Sequence, residues 1–112
     1  MFFLKPFYID LSMDLGTANT IVYANKRGFV LNQASYVALN LKSQQIMALG
    51  NKAKDMLGKT NTSVRVSRPL AGGVIADFDA GDAMVRGFIK AAKISRFRIG
   101  KVLMGVPTNA NE

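Results

Sequence analysis

The chain has no cysteine and no histidine. The first absence removes disulfides and thiolate metal sites, and the two together leave a structural zinc centre without its usual ligands. Any metal held here is expected to be a hard cation bound through oxygen. Acids are scarce as well: seven Asp and Glu stand against fifteen Lys and Arg, a net charge of +8. None of those acids lies between Arg86 and Lys101. Such an excess suits an anionic partner, either a lipid surface or nucleic-acid phosphates. No zinc motif, helix-turn-helix pattern or aromatic RNA platform accompanies it, so specific nucleic-acid recognition is not expected. Long apolar runs, internal repeats and low-complexity tracts are also missing. The amino-terminal stretch Met1-Phe2-Phe3-Leu4-Lys5-Pro6-Phe7 is apolar, but Lys5 and Pro6 interrupt it and Asp10 follows, which argues against a secretion signal. The overall make-up, 49% apolar and 20% charged, is that of a folded cytoplasmic protein rather than a disordered one.

What is present begins with an alternating run from Tyr8 to Asp14. Ile9, Leu11 and Met13 fall on one face and Asp10, Ser12 and Asp14 on the other, the pattern of a half-buried strand. Asp14 then stands at a strand end beside the turn Gly16-Thr17-Ala18-Asn19. Gly16 reaches backbone angles closed to other residues and has no side chain to obstruct a ligand, so the amides of Thr17, Ala18 and Asn19 can converge on one phosphate. A carboxylate cannot donate to phosphate, but Asp14 can hold a magnesium ion, directly or through its water shell, beside it. The same letters also suit a plain hairpin turn with Asp14 as its polar flank, and short glycine motifs of this kind occur by chance.

Further strands are expected over 19–24 and 28–32, joined by the turn Asn25-Lys26-Arg27-Gly28. Beyond them, strands around 35–41, 46–49 and 64–67 and a short helix around 52–57 make a small α+β insertion, with Gly58 placed to close the helix and the polar run 59–63 as a loop. A long helix is expected from Asp79, as its cap, to Ile94, with Asp82 in the first turn and Met84, Val85, Phe88, Ile89 and Ala92 as its core stripe. Asp77 is expected to end the preceding strand and to have no catalytic part. A strand over 101–106 follows, parallel to the first. Arg86, Lys90 and Lys93 share another helix face, and Arg96, Arg98 and Lys101 continue the charge around Ile94, Phe97 and Ile99. Those three apolar residues, with Phe2, Phe3 and Leu4, are candidate membrane contacts, because basic residues near an anionic bilayer contribute about 1 kcal/mol each. A solvated basic face and phenylalanines that merely cover a sheet edge account for the same residues equally well.

The run Asp14-Leu15-Gly16-Thr17-Ala18-Asn19-Thr20 resembles the first phosphate loop of the actin-like ATPases, a superfamily that includes actin, heat-shock chaperones and sugar kinases. Within it the wording is similar to the bacterial MreB family. The order of later blocks matches too: Thr20-Ile21-Val22-Tyr23, Gly28-Phe29-Val30-Leu31-Asn32, Ser35-Tyr36-Val37-Ala38, Ala48-Leu49-Gly50, Arg68-Pro69-Leu70, Gly73-Val74-Ile75-Ala76-Asp77-Phe78 and Val102-Leu103-Met104-Gly105-Val106-Pro107. Chaperones and sugar kinases share the loop but generally lack the Arg68 and Gly73 blocks.

The resemblance implies an α/β, actin-like (ribonuclease H-like) ATPase fold in part: an antiparallel meander, a crossover helix and a parallel strand, with the small α+β insertion. Residues 1–34 would begin subdomain IA and carry the phosphate loop, 35–72 would form subdomain IB, and 73–112 would return to IA. It further implies ATP and Mg2+ as cofactors, with Gly16, Thr17, Ala18 and Asn19 at the phosphates and Asp14 at the metal. Filaments at the inner face of the cytoplasmic membrane, contact with the cell-wall elongation machinery and control of rod shape complete the expectation. The family's second phosphate loop, water-activating acid and adenosine pocket have no counterpart here, so complete ATP hydrolysis by this chain alone is not expected. The other readings left open are a fragment of a chaperone or sugar kinase, and a basic lipid- or nucleic-acid-binding module without nucleotide.

Overall fold

A computed structural model describes residues 8–72, 74–94 and 99–105. The first three strands are β1 (Ile9–Leu15), β2 (Asn19–Ala24) and β3 (Gly28–Ala34). They form the expected antiparallel meander, with Met13 opposite Val22 and Val22 opposite Leu31. The turn between β2 and β3 closes on Gly28 at φ 78°, a left-handed angle that costs glycine little.

The insertion consists of β4 (Val37–Asn40), β5 (Ile46–Leu49), helix α1 (Asn51–Asp55) and β6 (Val64–Ser67). Its strands pair antiparallel in the order β5-β4-β6. The strand expected from residue 35 starts later because Tyr36 N donates back to Ala34 O at 2.8 Å, a tight turn that makes Ser35 and Tyr36 a junction. Helix α1 ends two residues earlier than expected, and Gly58 lies beyond it at φ 73°.

The return was expected as one segment and is a small hairpin, β7 (Leu70–Ala71) against β8 (Val74–Ile75). Helix α2 (Phe78–Ala91) follows, and then β9 (Ile99–Gly105). β9 runs parallel to β1, with Met13 opposite Met104, and completes the order β3-β2-β1-β9. This is the α/β crossover that the hydrophobic pattern implied.

Two limits of α2 differ from expectation, each for a local reason. Asp77, not Asp79, is the cap: its backbone is extended and its side chain accepts from the Ala80 amide at 3.0 Å. Asp79 instead takes the first turn, where the helix dipole favours an acid. At the other end Lys93 adopts φ 59°, the left-handed conformation that commonly stops a helix just past its last turn. Ile94 therefore leaves the helix and turns into the core.

That core lies between one face of the four-stranded sheet, α2 and β4. Ile9, Leu11, Met13 and Leu15 come from β1, Val22 and Ala24 from β2, and Val37 and Leu39 from β4. Ala80, Met84 and Phe88 of α2, continued by Ala92 just past its end, meet them at a spacing of four, one stripe of a 3.6-residue helix. Full burial of a side chain such as Met84 or Phe88 contributes about 1.5–3 kcal/mol. Among the described residues the other face of the sheet stays open. Tyr23 and Leu103 both lie opposite Ser12 on it, and the Phe29 ring meets Tyr23 edge to face, with centroids 5.2 Å apart.

Candidate functional site

The turn from β1 into β2 is held together by its own backbone. Gly16 N donates to Asn19 O at 2.9 Å. Gly16 does not adopt a left-handed angle, so the conformational reason expected for this glycine is replaced by a steric one. A Cβ built on it would lie 2.5 Å from Asn19 O, closer than carbon and oxygen can approach, and the obstacle is backbone rather than a movable side chain.

Behind this turn sit two fully buried hydroxyls, Thr20 and Ser35. Ser35 Oγ donates to Gly16 O at 2.7 Å and lies 2.8 Å from Thr20 Oγ1, while Ser35 N donates to Ala18 O at 2.9 Å. Asn19 also reaches across the meander, its Nδ2 donating to Asn32 Oδ1 at 3.2 Å.

In front, groups remain uncommitted. Among the described residues, Thr17 Oγ1 is the buried side-chain polar atom with no hydrogen-bond partner. The amides of Thr17 and Ala18 likewise make no hydrogen bond with described residues. A buried hydroxyl without a partner costs about 1–3 kcal/mol, so its persistence next to free amides fits a ligand rich in acceptor oxygens. Asp14 is exposed at the end of β1, opposite Ile21 and Gly105. Among the described residues no cluster of three acids gathers around it. A single carboxylate is nevertheless suited to magnesium, which takes one or two carboxylates and completes its shell with water and phosphate oxygens. The structure thus places Asp14, Gly16, Thr17, Ala18 and Asn19 together at one sheet end.

A nearby cavity of about 220 Å3 touches Leu15, Leu70, Ile75, Phe78, Met84 and Met104. Its lining is apolar apart from Asp82, whose charge opposes phosphate.

The membrane candidates separate. Phe2, Phe3, Leu4 and Phe97 lie outside the described residues. Ile94 is 6% exposed within the core, and Ile99 is half-buried and packed against that core. Arg86, Lys90, Lys93 and Lys101 are exposed. No helix among the described residues is long and apolar enough to cross a membrane.

At the far end of the insertion Arg65 Nη1 meets Asp77 Oδ2 at 2.8 Å. The Ala80 amide, and after it the Arg65 guanidinium, hold the Asp77 carboxyl below the usual carboxylate range. Asp77 therefore caps a helix and ties it to β6.

Sequence reasoning singled out the front of the turn and missed Thr20 and Ser35 behind it. A signal existed for Thr20: it occupies the buried register of β2 with Val22 and Ala24, and a polar residue at a core position requires a partner.

A family model described as MreB/Mbl protein matches residues 8–112. The chain is 40% identical over 101 residues to the cell shape-determining protein Mbl of Bacillus subtilis, covering 89% of this chain and 30% of that one. It is 40% identical over 116 residues to the cell shape-determining protein MreB of Escherichia coli, covering 98% and 33%. The chain therefore spans about a third of the length of the curated relatives it matches. Among solved structures, MreB5 of Spiroplasma citri bound to ADP superposes with a TM-score of 0.68 at 28% identity, covering 88% of this chain and 38% of that one. The same protein bound to AMPPNP gives 0.65 at 37% identity, covering 87% and 29%. With a family model matching residues 8–112 and solved structures of that family superposing on most of the chain, this chain belongs to the MreB/Mbl family and has, in part, the actin-like fold.

Proposed function

We propose that this chain supplies one wall of the nucleotide site in a cell-shape-determining cytoskeletal ATPase. The observation that carries the reading is the unpartnered, buried Thr17 hydroxyl beside the free amides of Thr17 and Ala18. In this reading Gly16, Thr17, Ala18 and Asn19 receive the phosphates of ATP, and Asp14 holds Mg2+ or its water. The ion, when bound, offsets phosphate charge that the backbone amides neutralise only partly. Support comes from the nucleotides found with MreB5, ADP in one structure and AMPPNP in another.

The wider role follows from family membership. Residues 1–34 and 73–112 are assigned to subdomain IA and residues 35–72 to subdomain IB. Nucleotide state biases how such subunits assemble, because a bound ligand shifts conformational populations in proportion to its differential affinity. The intact protein is proposed to self-associate into filaments in the cytoplasm, at the inner face of the cytoplasmic membrane. There it guides the cell-wall elongation machinery and thereby sets rod shape. The exposed basic residues Arg86, Lys90, Lys93 and Lys101 support the membrane assignment through attraction to anionic lipid, and the apolar anchor is assigned to Phe2, Phe3, Leu4 and Phe97. No nucleic-acid target is proposed.

Calorimetric titration of the 112-residue chain with ATP, with and without magnesium, tests the nucleotide reading. Binding strengthened by magnesium is expected, and Asp14→Ala is expected to remove most of that strengthening. Absence of binding rejects the loop's role, whereas unchanged magnesium dependence in Asp14→Ala rejects the metal role alone. Co-sedimentation with anionic vesicles over a salt series tests the second contact: apolar anchoring survives salt that screens charge.

A further inference from the structure

We infer that Ser35, which lies outside the phosphate turn, is a positioning residue for nucleotide: it fixes from behind which way the turn's peptide groups point. The inference rests on the phosphate reading above and deepens it. Ser35 reaches the turn twice. Its hydroxyl donates to Gly16 O at 2.7 Å, and its backbone amide donates to Ala18 O at 2.9 Å. A trans peptide is planar, with its C=O and N–H directed oppositely, and the described residues contain no cis peptide. Drawing Gly16 O toward Ser35 therefore turns the Thr17 N–H away from it. Drawing Ala18 O toward Ser35 turns the Asn19 N–H away likewise. One residue thereby aims two of the three amides assigned to phosphate, while the Ala18 N–H belongs to the intervening peptide and is not held by Ser35.

Thr20 has a definite place in this arrangement. A serine hydroxyl has one proton, and that of Ser35 is given to Gly16 O. The contact between Thr20 Oγ1 and Ser35 Oγ, 2.8 Å long, must then be a donation from Thr20. The result is a relay, Thr20 hydroxyl to Ser35 hydroxyl to Gly16 carbonyl. Both hydroxyls are fully buried, where successive hydrogen bonds polarise one another and are not exchanged for water. Ser35 is also the junction between β3 and β4, the point where the insertion leaves the main sheet. Any movement of the turn around a terminal phosphate is thus passed by hydrogen bond to the first residue of the insertion.

The test is an amide-resolved NMR titration of the full chain with magnesium AMPPNP, in wild type, Ser35→Ala and Thr20→Val. In wild type, ligand-induced shifts are expected at the Thr17, Ala18 and Asn19 amides. Ser35→Ala removes the hydroxyl but keeps the backbone amide. It should therefore weaken affinity about tenfold and diminish the limiting shift at Thr17 while preserving that at Asn19. General loosening of the fold would move both equally, so the contrast between Thr17 and Asn19 separates positioning from mere structure. Thr20→Val keeps the side-chain volume and removes only the donor to Ser35, and a two- to threefold loss with the same selective effect at Thr17 is expected. It decides the matter if Ser35→Ala fails to fold. A wild-type chain that does not respond to the ligand overturns the phosphate reading and this inference with it. A responsive wild type whose two variants bind equally well overturns the role of Ser35 alone.

Discussion

Two corners of this molecule each place an aspartate near the end of a strand, yet they dispose of their polar groups in opposite ways. At the return from the insertion, Asp77 commits one oxygen to the Ala80 amide and the other to Arg65. At the turn after β1, the Thr17 hydroxyl and the amides of Thr17 and Ala18 are left over, although Ser35 satisfies the carbonyls behind them. Spent polar groups stabilise the ligand-free fold. Unspent ones lower its stability and retain their hydrogen-bonding capacity for a ligand. Sites of this kind trade stability for function.

The largest effect is expected at Gly16. Gly16→Ala places a methyl 2.5 Å from Asn19 O, and the turn must open to receive it. A loss of about 2–3 kcal/mol is expected from the overpacking, read by denaturant unfolding, together with loss of nucleotide binding. If the variant is as stable as wild type, the close backbone approach is not what requires glycine there.

A change of opposite sign sharpens the contrast. Thr17→Val removes the unpartnered buried hydroxyl while keeping its shape, and should raise the stability of the ligand-free chain by about 1 kcal/mol. The same variant should bind magnesium ATP about tenfold more weakly, a ratio measured by calorimetry. Destabilisation by this substitution would mean that the hydroxyl already has a partner and that the two corners do not differ in kind.

At the other corner every effect should be a loss. Asp77→Ala removes the cap of α2 and is expected to cost about 1 kcal/mol at neutral pH. The pH dependence has a definite sign. Because the folded carboxyl titrates below its unfolded value, its contribution is fully present above the ordinary aspartate range near 3.9 and fades as pH falls through the lowered value. Asp77→Asn should keep the contact with Ala80 but flatten that acid limb, a difference visible in melts compared between pH 6 and pH 3.

The smallest effect is expected for Arg65→Ala. The ion pair is 46% exposed on the arginine side and 27% on the aspartate side, so solvent screens it and well under 1 kcal/mol should be lost. Comparable losses for Arg65→Ala and Asp77→Ala would show that the bridge, not the cap, is the main tie between insertion and helix.

Much of this was legible in the letters because it is periodic or local. Alternation marked the first strand of the meander, and the spacing of Met84, Phe88 and Ala92 marked the buried stripe of α2, since each repeat length belongs to one backbone geometry. The glycine turn with its flanking aspartate was legible for the same local reason. Ends were read less well. Asp77 and Asp79 are both good caps by type, and only the extended backbone at Asp77 chose between them. Ile94 carried the helical spacing one turn too far because a lysine in the left-handed conformation at position 93 is not foreseen by propensity.

The sequence by itself thus determined which residues could be inside and where the glycine turn lies, because side-chain chemistry and repeat length are properties of neighbours along the chain. Only the tertiary structure decided that Ser35, nineteen positions away from Gly16, stands behind that turn. Arg65 reaches Asp77 for the same reason: packing brings distant residues together, and no local pattern specifies the distance.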